Sequence, residues 1–183
     1  RILAILITVL LSFNYNDAKA SHLLGGEITW ECITSGTDAG KLVFTIKLYR
    51  ACTGIPLPTS ATINNPLYAT YGGASSISCS EVSVKDLAPS CYNSSLEMDC
   101  YTGTQRGNVM EEHVYVSAPV QINGTPATTG SAFWYSTCCR PLLLNSTSSN
   151  YWLRATMFPY TDPATSTVLS MGSTTGGPSC YDS

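Results

Sequence analysis

Charged side chains are scarce in this sequence: Lys and Arg number 9 and Asp and Glu 12 among 183 residues, a net charge of −3. That balance gives no electrostatic reason to bind nucleic acid or an anionic membrane. Histidine is scarcer still, with two residues, and there is no His-Glu-x-x-His, no Gly-x-Ser-x-Gly elbow and no phosphate-cradling glycine loop. Catalysis has few candidates, so the chain reads as noncatalytic, with no cofactor and no metal expected. No two cysteines stand in a Cys-x-x-Cys pair, which removes the usual zinc-binding and thiol-exchange spacings. A bilayer-spanning helix is missing as well: the longest apolar run, Ile2 to Phe13, has 12 residues, against the ~20 that a crossing needs.

What that run does suit is a secretory signal. Arg1 precedes it, polar Asn14 to Asp17 follow, and Ala18 and Ala20 occupy the small-residue positions of a cleavage site. Residues 1–20 are expected to be a signal peptide, with Ser21 heading the mature protein and contact with a membrane limited to that transient segment. The sequence opens on Arg1 rather than Met, so its true start is expected to lie upstream.

All eight cysteines (Cys32, Cys52, Cys79, Cys91, Cys100, Cys138, Cys139 and Cys180) follow the cleavage point, and an even number in an exported chain reads as disulfides. Eight cysteines allow 105 pairings. Cys138 and Cys139, adjacent on an apparent strand, should point to opposite faces and take different partners. Cys52 is the preferred partner for one of them. Cleavage leaves residues 21–183, a single domain with a net charge of −4: 7 Lys and Arg against 11 Asp and Glu. Ser and Thr number 45 of 183, so the solvated surface is hydroxyl-bearing rather than ionic.

Period two dominates the chain. Ile28, Trp30 and Cys32 alternate with polar residues; Leu42, Phe44, Ile46 and Leu48 share a face with Cys52; Val114, Val116, Ala118 and Val120 form another row. Tyr151, Leu153, Ala155 and Met157 alternate with Trp152, Arg154 and Thr156. Such rows are half-buried strands. Turn residues between Cys32 and Lys41 predict a hairpin, and shorter strands are predicted at Ala61–Ile63 and Glu81–Val84. The pattern predicts an all-β, antiparallel, immunoglobulin-like sandwich stapled by disulfides, with Trp30 and Phe44 in its core.

The densest ionisable cluster, Glu111-Glu112-His113, reads as a solvated strand end because successive residues alternate faces. Were processing to leave His22 at the N-terminus, its amine and imidazole could chelate copper, as in oxidative polysaccharide-cleaving enzymes, with His113 the only available second histidine. Sequons at Asn93, Asn123 and Asn145 are possible glycosylation sites.

The blocks Ala20–Cys32, Phe44–Pro58 and Phe133–Met157 together resemble the N-terminal region of large surface proteins of gliding and related bacteria. In those proteins a signal peptide is followed by Ser-His-x-x-Gly-Gly-Glu-Ile-x-aromatic-x-Cys, a Leu-Tyr-Arg-x-Cys strand and a later Cys-Cys-Arg-Asn segment. Ser21, His22, Gly25, Gly26, Glu27, Ile28, Trp30, Cys32, Leu48, Tyr49, Arg50, Cys52, Cys138, Cys139 and Arg140 match, whereas Pro141 replaces the usual Asn. The resemblance implies adhesins or scaffolds at the cell surface, exported by type IX secretion, often with immunoglobulin-like or polycystic-kidney-disease-type repeats downstream. It implies that this chain is a fragment truncated at both ends. Gly25 and Gly26 would let the backbone turn into the first strand.

The function expected is therefore a noncatalytic, secreted or cell-surface module supporting adhesion or scaffolding, partnered by other surface proteins or glycans. The alternatives are a carbohydrate-binding module using Trp152 and Tyr135 as its aromatic platform and the copper enzyme based on His22.

Overall fold

The computed structural model describes residues 23–87, 100, 109–137, 150–161 and 168–169. Residues 1–22, with the signal peptide, Ser21 and His22, lie outside them, as do Cys91, Cys138, Cys139, Cys180, Asn93 and Asn145.

Alternation produces strands wherever the sequence shows it. Seven strands, β1 (Leu23–Cys32), β2 (Leu42–Ala51), β3 (Ser60–Asn64), β4 (Ser76–Asp86), β5 (Met110–Ser117), β6 (Ser131–Thr137) and β7 (Tyr151–Met157), form one sheet in the order β1-β2-β5-β4-β3-β6-β7. A one-turn helix, α1 (Tyr68–Tyr71), links β3 to β4, and β8 (Tyr160–Thr161) pairs with β9 (Val168–Leu169). Every pairing in the large sheet is antiparallel. The two end strands β1 and β7 approach each other, so the sheet curls into a nearly closed barrel.

The expected all-β, antiparallel fold is present, but among the described residues the strands do not divide into the two facing sheets of an immunoglobulin-like sandwich. The period-two rows are the same in both architectures, but here they belong to one continuous sheet that buries its inner face against itself, rather than to two sheets packed face to face.

The first hairpin is as expected. Its loop closes through Ile33 N–H donating to Lys41 O at 2.9 Å and Gly40 N–H to Ile33 O at 2.8 Å, with Gly36 and Gly40 at φ of 84° and 85°, a region in which side chains with a Cβ are strained. Gly26 matters for another reason. It lies inside β1, and a Cβ there would sit 2.5 Å from Lys47 O and 2.9 Å from Leu153 Cδ1. Glycine serves close approach at this point, not a turn.

Leu42, Phe44, Ile46 and Leu48 of β2 are buried in the interior together with Cys52, as the alternation requires. Phe44 meets Phe133 of β6 at 5.2 Å between ring centroids, and half-buried Trp30 of β1 packs on both at 6.0 and 6.2 Å. Tilted aromatic contacts of this kind add about 0.5–1.5 kcal/mol each beyond their area. On β5 the inward row is Glu111, His113, Tyr115 and Ser117, while Val114 and Val116 stand half-exposed on the outer face. The apolar row of that strand therefore faces out and its polar row faces in.

Candidate functional site

The inward polar row of β5 meets Arg50, which continues the buried face of β2 one step beyond Leu48. The register sets Arg50 opposite Glu111 and Leu48 opposite His113. Arg50 Nε donates to Glu111 Oε1 at 2.7 Å and its Nη2 donates to the same oxygen, while Nη1 donates to Gly54 O at 2.6 Å. His113 Nε2 stands 2.7 Å from Glu111 Oε1 and its Nδ1 2.6 Å from Glu81 Oε1. A β-bulge between Glu81 and Ser83 re-aims β4 at this level, bringing Glu81 over the end of the row.

The result is a chain Arg50–Glu111–His113–Glu81 across β2, β5 and β4, with Glu111 2% and His113 6% exposed. Ionised carboxylates only accept, so both contacts of His113 are hydrogen bonds when its ring carries a proton on each nitrogen. The four groups are then electrically neutral in sum, the condition under which buried charges persist. Burial pushes the Glu111 carboxyl upward, but hydrogen bonds from His113 and Arg50 and their positive charges outweigh it and hold the group below the usual carboxylate range. Tyr115, stacked on His113 at 6.4 Å, donates its hydroxyl to Pro58 O at 2.9 Å. Burial, then the charge of Glu81, push its phenol well above the ordinary value.

These facts correct the reading of Glu111-Glu112-His113 as a solvated strand end. Alternation does turn Glu112 the other way, but the face it leaves to Glu111 and His113 is the interior, because Arg50 supplies the counter-charge. The copper reading loses its second histidine for the same reason: both ring nitrogens of His113 are engaged by carboxylates.

Beside Glu111 lies the disulfide Cys52–Cys100, closing a loop of 48 residues, and Cys100 N–H donates to Asp86 Oδ2 at 2.9 Å. This corrects the preferred pairing of Cys52 with Cys138 or Cys139. The chain-entropy model assigns such a loop about 4 kcal/mol. Sγ of Cys52 and Cys100 and a carboxylate oxygen of Glu111 lie within 4.8 Å of one another. With both sulfurs bonded to each other and the carboxylate engaged by Arg50 and His113, the trio has the spacing but not the ligand chemistry of a metal centre. Cys32 is also disulfide-bonded, to a partner outside the described residues. Cys79 is a free, buried thiol, against the expectation that all eight cysteines pair. It sits on the inward face of β4 opposite Ala61 and Ser117, where no described cysteine reaches it, and burial pushes the thiol up to about 11.

The two aromatic residues singled out as a platform separate. Tyr135 faces the interior opposite Leu153 and is 5% exposed; burial raises its phenol. Trp152, opposite Ser136, is 63% exposed on the outer face. A platform containing both is thus ruled out by strand parity. Half-buried Trp134 of β6 stands one outward position along, opposite Arg154. The outward row of β7 runs Trp152, Arg154, Thr156 and ends beyond the strand at Phe158, 62% exposed. Asn123 is half-buried near Gly73.

No family model, curated protein or solved structure matches this chain.

Proposed function

We propose that this chain is a noncatalytic module of a secreted or cell-surface protein, exported by the segment 1–20 and binding a surface partner through the outward face of β6 and β7. One observation carries the reading: Trp152 is exposed on two paired strands, where its indole is held without a loop to order. Large exposed aromatics on rigid elements are costly to leave in water and are the usual anchors of binding surfaces. The titratable groups with catalytic potential, Glu81, Glu111 and His113, are bonded to one another and to Arg50, which supports a structural rather than a chemical role for them. The Cys52–Cys100 disulfide supports an oxidising, extracellular setting, and no helix among the described residues is long and apolar enough to cross a membrane.

In this reading the module is the N-terminal part of a longer adhesin or scaffold delivered by type IX secretion, with the role that immunoglobulin-like domains play in such proteins. A second reading, a carbohydrate-binding module, is favoured specifically by the exposed indole beside Arg154, since a sugar ring stacks on the former and hydrogen-bonds to the latter. A glycan array probed with the oxidised domain, run beside binding to whole cells stripped of surface protein by protease, separates the two. Glycan spots that vanish with Trp152→Ala support the carbohydrate reading; cell binding lost on protease treatment supports a protein partner. Absence of both overturns the assignment of this face.

A further inference from the structure

Cys32 closes β1 opposite Leu42, at the end of the barrel where β2 begins. It is disulfide-bonded. Cys79 is a free thiol, and Cys52 and Cys100 are bonded to each other, so the partner of Cys32 is one of Cys91, Cys138, Cys139 and Cys180. A disulfide holds its two Cα atoms no more than about 7 Å apart, and a chain advances at most ~3.6 Å per residue. Reach therefore selects among the four.

Three of them start from the opposite end of the barrel. Cys91 lies four residues past Leu87, within ~14 Å of it. Leu87 follows Asp86, whose opposite number is Glu111, which in turn stands opposite Arg50 near the end of β2. Leu42 and Arg50 are ~27 Å apart at the rise of a strand, and the way from Leu87 to Cys32 crosses from β4 to β1 as well. Cys138 and Cys139 lie one and two residues past Thr137, within ~8 Å of it. Thr137 pairs with Tyr151 at the start of β7, and Leu153 meets Gly26, so the start of β7 is level with the start of β1. That level is ~27 Å of strand away from Cys32.

Cys180 starts from the right end. Six antiparallel pairings in succession leave β1 and β7 running parallel, so Met157 ends β7 on the Cys32 side, with Ala155 and Thr156 already beside Ile28, Thr29 and Trp30. Tyr160, three residues on, pairs with Leu169, and the eleven residues from there to Cys180 span up to ~38 Å.

We propose that Cys32 is bonded to Cys180, and that this disulfide clasps the end of the sequence to its first strand. Its formation takes one proton and one electron from each thiol; both electrons and both protons pass to the disulfide of a thiol–disulfide oxidoreductase of the export compartment, which leaves as the dithiol. Every strand from β2 to β9 lies between the two cysteines. A pull on the chain beyond Cys180 is thereby delivered to β1, which is paired along its length with β2, and bypasses both the two-residue strands β8 and β9 and the junction of β7 with β1, which has packing but no strand pairing among the described residues. The clasp is independent of the Trp152 surface.

The test is a nonreducing tryptic map of the exported protein at single-chain mass, with free thiols blocked in denaturant. Cys32 and Cys180 each lie alone in a peptide, the one ending at Lys41 and the one beginning at Ala155, whereas Cys91 shares Asp86–Arg106 with Cys100, and Cys138 and Cys139 share the peptide that holds Arg140. The expected cross-link joins the first two peptides and vanishes on reduction. The Lys41 peptide joined to either of the others, or recovered with a blocked free thiol, would overturn the assignment. The load path is read by pulling on the two ends of the oxidised chain from Ser21 to Ser183. With the clasp in place only the residues outside it extend, about 50 Å in all, whereas Cys180→Ser, or the wild type after reduction, should release about 200 Å or more. Equal release by oxidised wild type and Cys180→Ser would overturn the clasp.

Discussion

Arg50 donates two hydrogen bonds to one oxygen of Glu111, and His113 Nε2 stands 2.7 Å from the same oxygen, so removing the carboxylate strands a buried guanidinium away from water. Glu111→Ala should cost about 3–5 kcal/mol, the usual penalty for breaking a buried pair from one side, seen as a lowered thermal midpoint. The double substitution Arg50→Met with Glu111→Leu should cost less than the sum of the single ones. The same carboxyl sets an acid limit. Because its value in the folded state lies below the unfolded one, its contribution is complete above the ordinary glutamate range, ~4.3, and is lost as pH falls through the lowered folded value. Thermal midpoints measured below about pH 4 should therefore drop for the wild type, and drop less steeply for Glu111→Gln; parallel curves would remove Glu111 from the acid transition. Cys79 makes a different forecast. A buried thiol raised to about 11 should resist alkylation at pH 8 in the native protein and react once denatured. Labelling of Cys79 only after denaturation, read by peptide mass spectrometry, is the expected outcome; labelling of the native protein at the same rate would contradict its burial.

At the scale of elements, β2 is the strand on which the rest is registered. Phe44 is fully buried against Phe133 and Trp30, and Phe44→Ala should cost ~3–5 kcal/mol; a thermal midpoint unchanged from wild type would mean that the interior lies elsewhere. This face was legible in the sequence because a row of Leu, Phe, Ile and Leu admits only one inward side. So were the first hairpin, the position of β3, the part of β4 from Glu81 to Val84, and the alternation of β7; the first half of β4, with buried Ile77 and Cys79, was not. The inward side of β5 was not, since Val114 and Val116 advertise an apolar face that is the outer one, and only the register opposite Arg50 shows that a row of Glu, His, Tyr and Ser is satisfied inside. A signal was present: Arg50 continues the parity of Leu48 and Cys52, which places a guanidinium among core positions and calls for a buried acid. Tyr135 was misplaced for a similar reason. Its strand is aromatic on both faces, and the side that is buried depends on β6 pairing with β7 so that Tyr135 stands opposite Leu153.

For the whole molecule, one sheet rather than two means that strand count governs what is exposed. Seven antiparallel strands cannot close on themselves antiparallel, and the outer face of the last hairpin is left with Trp152, Trp134 and Arg154 in adjacent positions. Neither strand order nor disulfide partner could be read along the chain: both are long-range choices among many sequences of alternating strands, and Cys52 and Cys100 are 48 residues apart. The proposed function rests on the exposed indole of β7 acting as a binding anchor and not as an idle surface residue. It is tested most directly by the affinity of the oxidised domain for whole producing cells, compared between wild type and Trp152→Ala, with the thermal midpoint of each recorded. The expected result is an unchanged midpoint and binding at least about tenfold weaker, as truncating a central aromatic anchor brings; equal binding by the two proteins would contradict it.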